Sequence, residues 1–223
     1  MTAPPPEPAA GPRRVLATRG AAWAKALARW LGRMGVRPNA VSIAGVVFAL
    51  GAGVAFYLVL ERAGGGRAAL LLVAAASIQL RLLCNMLDGM LAVEEGFKSK
   101  TGEIYNDLPD RIADVFILVG AGYSARYLAY GALLGWAAAV LAVFTAYVRL
   151  LGGSLGVTQH FIGPMAKQHR MFTLTLVTLL AVVETLLAMP PRAIRIGLAV
   201  IVAGSIVTAI RRTRRIAGEV NAR

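Results

Sequence analysis

Cysteine is almost missing. Cys84 stands alone in 223 residues, which excludes an internal disulfide framework and a cysteine-ligated zinc site and leaves Cys84 as a small buried apolar residue. Histidine is nearly as scarce. His160 and His169 lack the spacing of metal ligands, so a histidine-based centre has no support. Charge is low as well, at 16% of residues against roughly 25% in soluble domains. Acids are the scarcest class of charge, 11 against 24 Lys and Arg, for a net charge of +13. With 57% hydrophobic residues and a mean hydropathy of +0.65, these deficits exclude an ordinary soluble domain. The basic excess alone does not indicate nucleic acid. The chain has no nucleic-acid motif and no aromatic residues interleaved with the basic ones, and its Lys and Arg flank apolar runs, as anionic headgroups and membrane topology require.

Those apolar runs set the organisation. The first fourteen residues are Pro-rich and end in Arg13-Arg14, which predicts a disordered arm without the apolar core of a signal peptide. Residues 15–37 carry Trp23, Leu27, Trp30, Leu31 and Met34 at spacings of three and four, interrupted by Arg19, Lys25, Arg29 and Arg33. That pattern predicts an amphipathic helix on the membrane surface. Residues 38–211 hold six candidate spans of about the length that crosses a bilayer: Ala40–Leu60, Ala68–Val93, Glu103–Ala125, Gly131–Leu151, Met171–Met189 and Ala193–Ile210. Residues 212–223 read as a basic tail. The expected fold is therefore an all-α integral membrane protein, six transmembrane helices with a surface helix in front. Lys and Arg concentrate in the amino-terminal arm, in the loops after the second and fourth spans, and in the tail. Both termini and those loops are then expected on the cytoplasmic side of the cell (inner) membrane.

The few acids are not spread evenly. Seven of the 11 fall between Asp88 and Asp114, at the junction of the second and third spans, where an ionisable group at the edge of hydrocarbon reads first as functional. Asn85 and Asp88 are three apart at the end of one helix, and Asn106 and Asp110 four apart at the start of the next. Each pair therefore shares a helical face. Folding the second helix beside the first brings four oxygen-bearing side chains together, with Gly89 and Gly102 allowing close approach. Carboxylate and amide oxygens suit a hard cation such as Mg2+ or Mn2+, and such a cation beside a headgroup neutralises phosphate. Asp107, Asp110 and Asp114 form a second face with Glu103, which either supplements the site or pairs with Arg111 and other bases. Arg81, one turn before Asn85 inside an apolar span, needs a carboxylate or a phosphate.

The full spacing is N-x2-D-G-x2-A-x9-G-x3-N-x3-D. It resembles the signature of the CDP-alcohol phosphotransferases, D-x2-D-G-x2-A-R followed at a similar distance by G-x3-D-x3-D. Asp88, Gly89, Ala92, Gly102 and Asp110 match; Asn85 and Asn106 stand where the family has aspartate, and Val93 where it has arginine. Pro38-Asn39 with Ser42 is similar to the element before the family's first helix. The resemblance spans residues 37–211. It implies transfer of a phosphatidyl group from CDP-diacylglycerol, or a similar CDP-alcohol, to a small hydroxyl acceptor with release of CMP, in phospholipid biosynthesis, by a homodimeric enzyme. It implies that four acids hold two divalent ions and that the last acid is the general base. Carried over, Asp110 is the catalytic base, and Asp88, Asp110, Asn85 and Asn106 hold Mg2+ or Mn2+. Asn39, Gly89, Ala92 and Gly102 then shape the nucleotide pocket. Two Asp-to-Asn changes remove two charges and favour one ion over two. They also leave open a noncatalytic CDP-lipid-binding or regulatory homologue. Lys167 and Arg170, in GPMAKQHR, together with Arg81, are expected to bind acceptor or phosphate. A transporter is disfavoured, since there is no inverted repeat or broken-helix pattern.

Overall fold

The computed structural model describes residues 21–94 and 102–222. Among these residues seven α-helices form: α1 (Ala22–Arg33), α2 (Pro38–Leu58, closed by a 3-10 turn at Val59–Glu61), α3 (Gly64–Glu94), α4 (Gly102–Ser124), α5 (Gly131–Ser154), α6 (Lys167–Leu186) and α7 (Ala193–Asn221). No strand forms among the described residues. The expected amino-terminal arm and the 95–101 linker lie outside them.

Five helices, α2, α3, α5, α6 and α7, are long and apolar enough to cross a membrane. The third expected span, α4, is long enough but carries Asp107, Asp110, Arg111 and Asp114 in its first half. Proline starts α2 at its first position, where the missing N–H costs nothing. Pro109 instead lies inside α4, so the helix lacks one backbone donor one residue before Asp110.

The helices pack in a cycle: α2 on α3, α3 on α6, α6 on α7, α7 on α5, α5 on α4, and α4 back on α2. Lipid tails offer no hydrophobic drive for helices to associate, so close approach at small residues has to supply it. Gly53 and Gly120 provide that contact between α2 and α4: a Cβ on Gly120 would lie 2.6 Å from Gly53 Cα. Gly122 and Gly135 do the same for α4 and α5, at 2.6 Å. Alanines make up half of the main core cluster, including Ala49, Ala52, Ala74, Ala121, Ala138 and Ala142. Many large apolar side chains point outward, among them Val47, Leu50 and Val54 of α2, Leu133, Trp136 and Val140 of α5, and Phe172 of α6, while Phe56, Leu71, Ile117 and Leu198 stay inside. An inside-out distribution of this kind belongs to a multi-pass membrane protein.

Helix α1 packs against the end of α3 through Ala24 and Ala28, which join Met86, Leu87, Met90 and Leu91 in a second cluster. This contact takes one edge of the expected apolar stripe and leaves the rest of it outward. Leu27 and Leu31 are partly buried there, whereas Trp23, Trp30 and Met34 stay exposed. Helix α7 also departs from expectation. It continues past Ile210 through the arginine cluster to Asn221, and Arg212 turns inward to donate to the carbonyls of Ile162 (3.0 Å) and Thr145 (2.7 Å). At the opposite end of the bundle, Glu184 accepts from the backbone N–H groups of Arg192 and Ala193 at 3.1 and 3.0 Å, capping the start of α7.

Candidate active site

The two halves of the acidic motif face each other across one cleft. It is lined by Ser42, Arg81, Asn85, Asp88 and Asp110, with Gly45, Val46, Pro109 and Ala113 completing the wall. Its free volume of about 10 Å³ admits roughly one water-sized occupant.

Each side chain is placed by its own element. Ser42, one turn into α2, donates to Asp88 Oδ2 at 2.7 Å, with the Pro38 carbonyl 3.2 Å from the same hydroxyl. The Pro38-Asn39-x-x-Ser42 element thus reaches the motif through its serine, while Asn39 is half-buried nearby in the first turn of α2. Asp88 is 4% exposed, and its Oδ1 is buried with no partner.

Asp110 is crowded by donors. Its Oδ1 accepts from Asn85 Nδ2 at 3.0 Å and from Arg81 Nη2 at 3.3 Å, and its Oδ2 accepts from Lys167 Nζ. Asn85 completes the triangle, its Oδ1 accepting from Lys167 Nζ at 2.7 Å. Arg81 Nη2 also bonds to Asp114 Oδ1 at 2.8 Å, and the other oxygen of Asp114 accepts from Arg170 Nη2 at 2.9 Å. Arg81, Asp114 and Arg170 are 1%, 0% and 1% exposed, so this is a fully buried chain of ions. Such a chain is held by good geometry rather than by solvent. It joins α3, α4 and α6, and Arg170 Nη1 extends it to Thr145 of α5 and the Met165 carbonyl. Arg81 Nη1 is buried without a partner.

Of the expected site residues, the fold gathers Asp88, Asn85, Asp110, Arg81 and Lys167 around the cleft. Arg170 does not line it. Both of its terminal nitrogens are engaged on protein groups. Gly89 and Ala92 follow Asp88 along the last turns of α3, and Gly102 opens α4. The side chain of Asn106 lies outside the described residues. Asp107 takes the structural alternative, pairing with Arg149 at 2.7 Å and Arg111 at 3.4 Å. Two contributors had no clear signal in the sequence. Thr145 is one hydroxyl in an apolar run, and Arg212 is one arginine of a basic cluster.

The loop before α6 sets the position of Lys167. Thr208 of α7 accepts from the backbone N–H of Met165 at 3.0 Å. Gly163 adopts φ +119°, with Thr208 atoms 2.5 Å from where a Cβ would stand; only glycine takes that conformation and fits that gap. With Arg212 bound to the Ile162 carbonyl, the loop is pinned on both sides.

A divalent ion needs hard oxygens free to face it. Among the described residues no group of three or more His, Cys, Asp or Glu side chains could hold one. Asp88 keeps one buried oxygen free, and one or two carboxylates with substrate phosphate oxygens suffice for Mg2+. One ion therefore fits at Asp88. A second ion at Asp110 is disfavoured while that carboxylate is paired with Arg81 and Lys167, because it would face two fixed positive charges at close range.

No family model matches the chain. An uncharacterized protein of Aquifex aeolicus (strain VF5) is 26% identical over 188 residues, 83% of this chain and 85% of that protein. Among solved structures, the fold is that of the Mycobacterium tuberculosis phosphatidylinositol phosphate synthase PgsA1. With manganese and citrate bound, that protein superposes with a TM-score of 0.73 at 20% identity, over 86% of this chain and 88% of the other. With CDP-DAG bound it again gives 0.73 at 20% identity, over 88% and 94%. The apo form gives 0.69 at 21% identity, over 85% and 93%.

Proposed function

We propose that the protein is a CDP-alcohol phosphatidyltransferase of six membrane spans and one surface helix, α1, with its termini and cleft on the cytoplasmic side of the cell membrane. The observation that carries this reading is the convergence of Ser42, Asp88, Asn85 and Asp110 on one cleft, at the spacing of the CDP-alcohol phosphotransferase motif. The fold of a synthase crystallised with CDP-DAG supports it.

In this reading the pyrophosphate of CDP-diacylglycerol meets the cleft near Asp88, and Asn39, Gly89, Ala92 and Gly102 flank the cytidine. A bound Mg2+ or Mn2+, held by Asp88, supplies charge neutralisation at the phosphoryl oxygens. Arg81, two turns before Asp88 on α3, and Lys167 of α6 add fixed positive charge, which stabilises the transition state without reorganisation. Asp110 accepts the proton of the acceptor hydroxyl. The acceptor oxygen bonds to the phosphatidyl phosphorus as the bond from that phosphorus to the CMP oxygen breaks, and CMP leaves. Arg170 acts through Asp114, fixing Arg81, rather than on substrate. A homodimer is expected with this fold.

A second reading is favoured by one specific feature. Asp110 already accepts from Lys167, Arg81 and Asn85, which leaves it a poor base and suits a protein that binds the CDP-lipid without turning it over. Release of CMP from CDP-diacylglycerol separates the two. With protein in nanodiscs, Mg2+ or Mn2+, and pooled alcohols as acceptors, cation-dependent CMP release with one pool is the expected result. Binding of the lipid with no CMP release from any pool would establish the noncatalytic reading instead.

A further inference from the structure

Asn85 and Lys167 form a matched pair. The amide presents its oxygen to the ammonium and its N–H to Asp110, so each polar end meets its complement. An aspartate at position 85 would set a second carboxylate 3.0 Å from Asp110, which calls for a cation of charge two between them. With asparagine the pair of side chains carries one negative charge instead of two, and one ammonium balances it. Two carboxylates with one divalent ion sum to zero; one carboxylate, one amide and one lysine sum to zero as well, with Arg81, which Asp110 shares with Asp114, outside the count in both cases.

We propose that Lys167 is a built-in cation that takes the place of one divalent ion, so that the cleft binds at most one. The proposal rests on the reading of the cleft as a CDP-alcohol site and assigns it a different complement of charge. Placement makes the ammonium a fixture rather than a passing surface charge. Lys167 is the first residue of α6, the loop before it is pinned by Thr208 and Arg212, and Arg170 one turn later is locked on Asp114. An ammonium has three N–H donors. Two are engaged by Asn85 and Asp110, and the third is available to a phosphate oxygen.

The test counts ions. Mn2+ bound per chain is measured by electron paramagnetic resonance in nanodiscs for the wild type, Lys167→Met, and the triple variant Asn85→Asp, Asn106→Asp, Lys167→Met. The wild type is expected to bind no more than one Mn2+ and the triple variant two. Lys167→Met alone, which strips Asp110 of its ammonium, is expected to bind Mn2+ at least tenfold more tightly than the wild type. Two ions on the wild type overturn the proposal without reference to any variant. So does a folded triple variant that still binds one, or unchanged Mn2+ affinity in Lys167→Met. Parallel titration with cytidine-labelled CDP-diacylglycerol keeps the two ideas apart. Failure of the lipid to bind while the ion counts follow expectation removes the CDP-alcohol reading and leaves the built-in cation standing.

Discussion

Replacing Asp114 with asparagine is the perturbation that bears most on the architecture. The side chain has no exposure and holds Arg81 at 2.8 Å and Arg170 at 2.9 Å. Asparagine keeps the volume and loses the charge, so no cavity confuses the result. Two buried guanidinium groups are left facing an amide. Removing one partner of a buried pair costs about 3–5 kcal/mol, chiefly because a buried charge is left uncompensated. Taking the scaling of soluble domains of this length, about 2–4 °C per kcal/mol, a drop of roughly 6–20 °C in Tm follows for protein in detergent or nanodiscs. The control is Asp107→Asn, where the ion pair with Arg149 has 28% and 15% side-chain exposure; partly exposed pairs contribute at most about 1 kcal/mol. A loss in Asp114→Asn no larger than in Asp107→Asn would refute the view that the Arg81–Asp114–Arg170 chain holds α3, α4 and α6 together.

Other consequences are open to direct measurement. Asp110→Ala is expected to abolish CMP release and to retain binding of labelled CDP-diacylglycerol; equal loss of both would remove the base role. Gly120→Ala places a Cβ 2.6 Å from the Gly53 backbone, which cannot move aside as a side chain would, so a loss of about 1–3 kcal/mol is expected by thermal unfolding. Gly218→Ala, with nothing within 4 Å of the new Cβ, should cost nothing in the same experiment and stabilise by up to about 1 kcal/mol through helix propensity. Glu184→Ala uncaps α7, with an expected cost of about 0.5–2 kcal/mol and faster amide exchange at Arg192 and Ala193; unchanged exchange would show that the cap contributes nothing.

The helices were legible because bilayer-length apolar runs are the strongest signal a sequence carries; five of the six expected spans have their helix within a few residues at each end, and α7 runs on to Asn221. The meeting of Asn85, Asp88 and Asp110 was legible because the first two obey helical spacing and the third opens the next helix a short distance on in the chain. What could not be read was partnership across the bundle. Arg170 and Lys167 are three apart, and both read as phosphate ligands. Only the packing of α6 on α3, with α4 within side-chain reach, sends one to Asp114 and the other to Asp110. Ser42 was visible as part of a motif, but its bond to Asp88 depends on how α2 crosses α3. Arg212 looked like one of several tail arginines because nothing in the local sequence reveals that α7 continues and turns that residue inward. The surface helix was read from its tryptophans, whereas the contact is made by Ala24 and Ala28, residues too small to dominate a hydropathy pattern.

The central claim is that a CDP-lipid seats at the cleft of Ser42, Asp88 and Asp110. The most direct measurement is equilibrium binding of cytidine-labelled CDP-diacylglycerol to the wild type and to Asp88→Ala, both in nanodiscs with Mg2+ present. Saturable binding that free CDP displaces, weakened at least tenfold in Asp88→Ala, is the predicted result. No saturable binding to the wild type, or equal affinity in the two proteins, would contradict the account.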